Sequence, residues 1–387
     1  MFIFIFFNFN FVFFKFNFIS IILTSIPYFV ISVFIINSVA TNYSFGAGSG
    51  IFCSGPATIS DSVIRGNYGG GGGDYGGTIF LQSSSNRSAI IRCDIRSNSA
   101  RFAPSGISSF GSLDLRDSLV RNNRADNGDA GFVNYGTATV RNCTFTSNWS
   151  FQGSRESFSS IHNNGDMSLD HLTIVSNSAW LDYQRFAVGG AGLLNGGTMR
   201  IKNSLIAWNV VPTDPDNLPP CQEIWGYPAK GDHNLIQNPG TCAATSDPNG
   251  DLYGQDPLIG PLADNGGPTL THALLPGSPA INAGVESDVT LDQRGLPRSR
   301  PDIGAYEVLE RSIPVLLPLP NAHASTFQAV LVGDPRATYL IQHKDSLGST
   351  EWQDSGEPVL TDGGGFVNVS MAIAAGSGSM FIRAVKR

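Results

Sequence analysis

The chain has 387 residues, a formal charge of -7 and a pI near 5.3, with 44 glycines and only 14% charged side chains. An acidic balance excludes a general nucleic-acid binder, which needs a net basic surface to neutralise phosphates. The apolar content excludes a disordered chain, and the glycine count points to a turn-rich β protein long enough for more than one domain.

Residues 1–40 carry one charged side chain, Lys15, and an apolar run from Phe18 to Ile36 broken only by small polar residues and Pro27. Ser38 and Ala40 then place small residues at the two positions that a signal peptidase reads. The segment is expected to address the membrane, either as an export signal cut after Ala40 or as a retained anchor. The run approaches the roughly 20 apolar residues that a span needs.

Residues 41–255 are built on one repeated unit. Asn67, Asn98, Asn123, Asn148, Asn177 and Asn209 recur at intervals of 25 to 32 residues. The third residue before each is apolar (Ile64, Ile95, Val120, Phe145, Ile174, Ile206), and so is the eighth (Ile59, Ile90, Leu115, Val140, Leu169, Ile201). Short alternating segments of this kind cannot bury an apolar face alone and must stack on their neighbours. Period-two alternation broken by turn residues selects strands over helices. The expected fold is all-β, a parallel β-helix.

Each unit reads as two short strands joined by a bend at a polar column, Asp61, Arg92, Asp117, Asn142, His171 and Asn203. A variable polar stretch follows the Asn, where a solenoid places insertions and often its binding surface, and then a glycine-led strand such as residues 131–134 or 192–195. The Asn column is expected to be architectural, because Asn tolerates left-handed backbone and its amide can bond the next coil. Arg65, Arg96 and Arg121, two before the Asn, with Arg116, Arg141 and Lys202, seven before it, form a basic stripe that Asp61, Asp94, Asp114 and Asp117 stand close enough to neutralise, with contact to an acidic glycan as the alternative.

Cys93 and Cys143 share one column and are expected as buried thiols. Two coils of separation leave their backbones ~10 Å apart, beyond the ~7 Å limit for a disulfide. Cys221 and Cys242 flank a Pro/Gly-rich excursion that a bridge would close, so they are the expected disulfide. Asp247, Asn249 and Asp251 resemble the opening of a calcium loop. Leu252 at position six and Leu258 at position twelve exclude an EF-hand, leaving a looser calcium site as the only cofactor suggested.

From residue 256 the character changes, through Asp256-Pro-Leu-Ile-Gly-Pro-Leu-Ala-Asp-Asn-Gly-Gly-Pro-Thr-Leu-Thr-His272 and Leu275-Pro-Gly-Ser-Pro-Ala-Ile-Asn-Ala-Gly284 to Asp292-Gln-Arg-Gly295 and Asp302-Ile-Gly-Ala-Tyr-Glu307. These motifs resemble the terminal region of bacterial right-handed parallel β-helix proteins of the choice-of-anchor Q type. The resemblance covers most of residues 45–307, and a shared loop shape through Cys221, Asn234-Leu-Ile236 and Cys242 supports the disulfide. Phe145-Thr-Ser-Asn148 and the Gly-Gly-Ala start at Gly189 are also similar to the short repeats of chlamydial polymorphic outer-membrane proteins, which are adhesin-type surface β-helices. The family usually has a longer lead-in and a capping element before its first coil, whereas here the coils begin almost at once. Residues 256–313 are expected to cap the last coil, with Asp292, Arg294, Asp302 and Glu307 available for ion pairs.

A proline-spaced linker leads into residues 314–387, whose alternating strands predict a small β-sandwich around Tyr339, Trp352 and Phe381, of marginal size for independent folding. Three functions fit the whole. The first is an exported, non-catalytic surface protein that displays loops for adhesion or glycan contact, with host or neighbour cell surfaces as partners and Trp149, Trp180, Tyr183, Arg96 and Arg121 as candidate contacts. The second is a polysaccharide lyase or glycoside hydrolase, for which Asp166, Asp170, Asp182, His162 and His171 would have to converge. The third is a structural spacer. Clustering of Trp149, Phe151, Trp180, Tyr183 and Trp208 on one outer face favours a sugar-stacking surface over the spacer.

Overall fold

The computed structural model describes residues 2–7, 10–15, 21–23, 34–44, 48–72, 77–82, 87–102, 104–152, 160–181, 190–211, 222–240, 245–246, 249–309, 314–318, 326–334, 337–344, 346, 348, 350–361, 366–372 and 381–387. It divides into two compact units, residues 1–262 with 267–307, and residues 263–266 with 308–387. No helix occurs among the described residues, so none is long and apolar enough to cross a membrane.

The larger unit is a parallel β-solenoid of three stacked ladders, and its register is the one that the two apolar columns dictate. Ile59, Ile90, Leu115, Val140, Leu169 and Ile201 pair in succession along a fifteen-stranded sheet. Ile64, Ile95, Val120, Phe145, Ile174 and Ile206 pair beside them, and Ile236 continues the row. Both rows point into the core and are almost fully buried. A one-residue slip would turn each row to solvent, which is why the register is so firmly set.

The bend between the two rows lies where the polar column falls. Asp61, Arg92, Asp117, Asn142, His171 and Asn203 all adopt φ near +50°. A second left-handed corner follows, at the residue before each ladder Asn rather than at the Asn itself: Gly66, Ser97, Asn122, Ser147, Ser176 and Trp208. The expectation that the Asn takes the left-handed conformation is thereby corrected. Its side chain must reach along the stack, and the preceding residue makes the corner.

Each ladder Asn up to Asn177 donates from Nδ2 to the next Asn Oδ1 and to a backbone carbonyl of the preceding coil, as Asn98 does to Asn123 (2.9 Å) and to the Ile64 carbonyl (3.0 Å). The same Oδ1 also accepts the preceding Asn backbone N–H. Every rung therefore satisfies buried donors that would otherwise go unpaired. Asn42 adds a seventh rung, donating to Asn67 Oδ1 at 2.8 Å. Phe34–Ala40 pairs in parallel with the Thr58–Arg65 strand, and Val39 enters the core, so residues assigned by sequence to a leader supply an outer coil. Phe2–Phe7 and Asn10–Lys15 form an antiparallel pair, and Ile21–Leu23 lies beside Ile51–Cys53.

Directly after each Asn comes a short strand that the sequence reading had merged into the variable stretch. Tyr43–Ser44, Tyr68–Gly72, Ser99–Phe102, Arg124–Ala125, Trp149–Gln152 and Ser178–Leu181 stack as a six-stranded sheet. The glycine-led strands make the third, eight-stranded sheet, from Ile21–Leu23 to Ile224–Gly226. Its leading column is small because a Cβ at Gly131 would lie 2.2 Å from the Ser160 carbonyl oxygen of the next coil.

Residues 256–307 do not close the end of the stack. They run along its flank, where Asn142 donates to the Leu291 carbonyl (2.7 Å), Thr144 to Gln293 (2.6 Å) and Asn203 to the Val285 carbonyl (2.8 Å). Ala305 N–H bonds Thr173, and His272 meets Thr146. The corner column and its neighbouring threonines offer polar side chains on this flank, and the irregular segment satisfies them. The expected ion pairs form inside the segment: Asp292 with Arg294 (2.7 Å) and Glu307 with Arg298 (3.0 Å), both pairs buried. Arg294 also lies over the Tyr306 ring at 3.7 Å.

The smaller unit pairs a three-stranded antiparallel sheet (Val315–Pro318, Thr326–Val332, Phe366–Ala372) with a four-stranded one around Thr338–Lys344. Leu331, Tyr339, Ile341, Val369 and Met371 form its core. Trp352 is half-exposed instead, flanked by Arg383 at 4.2 Å and Lys344 at 4.9 Å, and Phe381 is half-buried. A tryptophan carrying two cations on a sheet's outer face cannot also fill the interior.

Candidate functional site

The third sheet turns two columns outward. One runs Phe52, Phe80, Ser108, Val133, His162, Leu194, Trp225, and the other, two residues on, ends Phe110, Tyr135, Asn164, Gly196, Tyr227. In the early coils the aromatic rings stack on one another: Phe52 on Phe80 (5.4 Å), Phe80 against Phe110 (5.3 Å) and Phe110 on Tyr135 (4.4 Å). Such faces are already spent on packing.

The late coils differ. Leu194 and Gly196 form a low coil between two tall ones, leaving a groove of about 500 Å³. His162 and Asn164 stand on one side, Trp225 and Tyr227 on the other, with Gly226 in the floor. The volume lies within the ~300–1,000 Å³ range of small-ligand clefts. Tyr227 is 67% exposed, and neither Trp225 nor Tyr227 stacks on another ring among the described residues.

The local sequence explains why this notch holds its shape. Asn134, Asn163 and Asn195 form a second amide ladder at this corner, with Asn134 donating to Asn163 (2.9 Å) and Asn163 to Asn195 (3.0 Å). Asn195 ends it by donating to the Tyr227 carbonyl at 2.9 Å, which fixes the aromatic wall. Gly226 has φ +101°, and a Cβ there would meet the Asn195 carbonyl oxygen at 2.1 Å, so no other residue fits.

The opposite wall is set by Asp129, whose Oδ2 is 2.9 Å from His162 Nδ1. Burial of the imidazole works against its charged form, but the Asp129 carboxylate outweighs this and Asn164 adds a further hydrogen bond, so the His162 pKa is raised. The ring is held in one orientation at the groove's edge, with a carboxamide beside it.

Glu223, immediately before the strand Ile224–Gly226, terminates the long Asn ladder, because Asn209 Nδ2 donates to its Oε2. It stands in the small column, paired with Gly192, where only the end of the stack leaves room for a long side chain. Burial pushes its pKa up to about 8, against the hydrogen bonds from Asn209 and the Trp208 backbone.

The residues singled out by sequence are dispersed. Arg121 chelates Asp94 (3.0 Å) and Arg96 approaches the same carboxylate (3.5 Å), so these two members of the basic stripe are paired, while Arg92 of the bend column chelates Asp61 (2.6 Å). Trp149 lies on the six-stranded sheet beneath Arg124 at 4.2 Å, with Phe151 beside it, and Trp180 takes the register position next to Phe151. Trp208 occupies a corner, and Tyr183 lies outside the described residues. Asp166, Asp170, His162 and His171 do not converge. His162 pairs with Asp129, His171 is buried against Asp170 (2.8 Å) under the flank segment, and Asp166 faces Arg200 (3.7 Å); Asp182 is outside the described residues.

Cys93 and Cys143 are buried free thiols, as their column requires, whereas Cys221 and Cys242 lie outside the described residues. Asp247 lies outside them too. Asp251 has both oxygens engaged, Oδ1 by Asn234 (2.9 Å) and Oδ2 by Thr245 (2.9 Å), and Asn249 donates to Asp232 (3.0 Å). Asp251 thus closes a ladder in the manner of Glu223, and no group of three metal-ligating side chains occurs among the described residues.

No family model and no curated protein matches the chain.

Proposed function

We propose that this chain is an exported surface β-helix of the choice-of-anchor Q kind, and that it contacts glycans through the groove between His162 and Trp225. The observation that carries this reading is the notch itself: two aromatic rings that stack on no other ring among the described residues, opposite a hydrogen-bonding wall, across a floor left open by Leu194 and Gly196. Ring planes supply rigid contact area, and fixed polar groups supply orientation, which is the usual division of labour in a binding cleft. The groove therefore sits on the third sheet, away from the loops following each ladder Asn where the sequence pattern had placed display.

The test is binding of the purified full chain to an immobilised glycan panel, compared with Trp225→Ala and Tyr227→Ala. Retention by the parent chain and loss in both variants supports the reading. A parent chain that retains nothing sinks it.

A second reading has one observation in its favour. The Asp129–His162 pair borders the groove and has the geometry of an oriented general base. Turnover of any retained glycan, abolished by His162→Gln, would replace display by catalysis.

A further inference from the structure

We infer that the groove takes an uncharged pyranoside, a neutral hexose or N-acetylhexosamine unit, and not a uronate or sulfated sugar. This rests on the glycan-contact reading and narrows it to a ligand class.

The first argument is charge. The described side chains at the groove are an imidazole, two carboxamides, an indole and a phenol, with Leu194 beneath. Among the described residues the cation that can form there, His162, is matched by Asp129 at 2.9 Å, so the pair presents no net positive charge to a ligand. A uronate bound there would be desolvated with no cation among the described lining residues beyond the already matched His162, which is costly for a buried charge. Elsewhere on the solenoid, Arg92 is paired with Asp61, Arg121 with Asp94, Arg124 with Asp126 and Arg141 with Asp288.

The second argument is shape. The walls stand two coils apart, ~10 Å between backbones at the ~4.8 Å spacing of paired strands. After the thickness of the facing side chains, that leaves room for one flat saturated ring. Trp225 and Tyr227 offer it an apolar face, while His162 and Asn164 meet the hydroxyl or acetamido groups that project from its edge. The arrangement suits a ring with one apolar face and a polar rim.

The experiment is isothermal titration of the full chain with matched oligosaccharides, a neutral β-linked glucose trimer and an N-acetylglucosamine trimer against a galacturonate trimer, each at 50 and 500 mM salt. The inference predicts that a neutral trimer binds with an affinity that salt leaves within twofold. Binding should fall at least tenfold in Trp225→Ala and in Gly196→Leu, which fills the floor. Gly196 has ordinary backbone geometry, and a Cβ there meets the movable tip of Asn164 at 2.9 Å and the Asn163 carbonyl oxygen at 3.4 Å, an ordinary contact, so this variant is expected to keep its fold. Its unaltered urea midpoint separates a blocked groove from an unfolded one. If the galacturonate trimer alone binds, weakens with salt and is lost in Gly196→Leu, the ligand class is overturned while the groove stands. If no trimer binds, or binding persists in Gly196→Leu, the groove reading itself fails and this inference with it.

Discussion

Glu223 is the position where one atom change tests the ladder most sharply. It closes a stack of buried amides with a carboxyl that no cation faces among the described residues, and burial raises its pKa from 4.5 to about 8. The sign follows from proton linkage. Below about pH 4.5 the group is protonated in both states and contributes no difference. Between 4.5 and 8 the unfolded chain loses the proton and the folded chain keeps it, so stability falls as pH rises and the loss is complete just above pH 8. At ~1.4 kcal/mol per pKa unit, the loss is on the order of a few kcal/mol. Glu223→Gln keeps an oxygen for Asn209 Nδ2 and cannot ionise. Urea unfolding of both proteins from pH 4 to 9.5 should give coincident midpoints at pH 4 and a growing advantage for the variant that levels off above pH 8. A constant offset across the range, or an advantage that shrinks as pH rises, would refute the reasoning.

Other positions yield equally definite outcomes. Asn148→Ala removes the acceptor for two buried Asn123 donors, at 3.2 and 3.0 Å; at about 1–3 kcal/mol for each unpaired donor, the urea midpoint should drop by several times the effect of an exposed Asn→Ala change. Gly131→Ala forces a Cβ to 2.2 Å from the Ser160 carbonyl oxygen and should abolish soluble expression, whereas Gly196→Ala should express and melt like the parent. Arg298→Ala strands the buried Glu307 carboxylate and should cost about 3–5 kcal/mol in chemical denaturation. Removing residues 1–40 takes away the strand Phe34–Ala40 and uncovers the Ile59 and Ile64 rows, so the truncated chain should sediment as aggregates while the full chain does not.

Much of the fold was legible because its two determinants are columnar. An apolar side chain three and eight residues before each Asn fixes which faces turn inward, and no other register buries both rows. The Asn42 rung shows half of this pattern: Val39, three residues before it, pairs with Ile64, but a register shift sets Ile35 and not Phe34 against Ile59, and the same stretch carries the apolar run that reads as a leader. The six-stranded sheet left a weaker trace, since strands as short as Arg124–Ala125 are too brief to alternate.

The groove was harder to see. Its polar wall joins Asp129 to His162 across 33 positions, and its floor is defined by what Leu194 and Gly196 lack. Absent volume gives no motif. The signal that could have found it is the third-sheet register, which aligns Tyr135, Asn164, Gly196 and Tyr227 in one column and shows the aromatic run interrupted by a glycine. The path of residues 256–307 along the flank was hidden for a similar reason, because its partners Asn142, Thr144, Thr173 and Asn203 are ordinary members of the repeat until the chain folds back on them.

The glycan-contact reading rests most directly on where a bound sugar touches the protein. Hydrogen exchange of the full chain with and without a retained oligosaccharide should show protection confined to the amides of residues 162–164, 194–196 and 225–227. Protection on the arginine face around Arg96 and Arg121, or on the six-stranded sheet around Trp149, with no change at Trp225 and Tyr227, would contradict it.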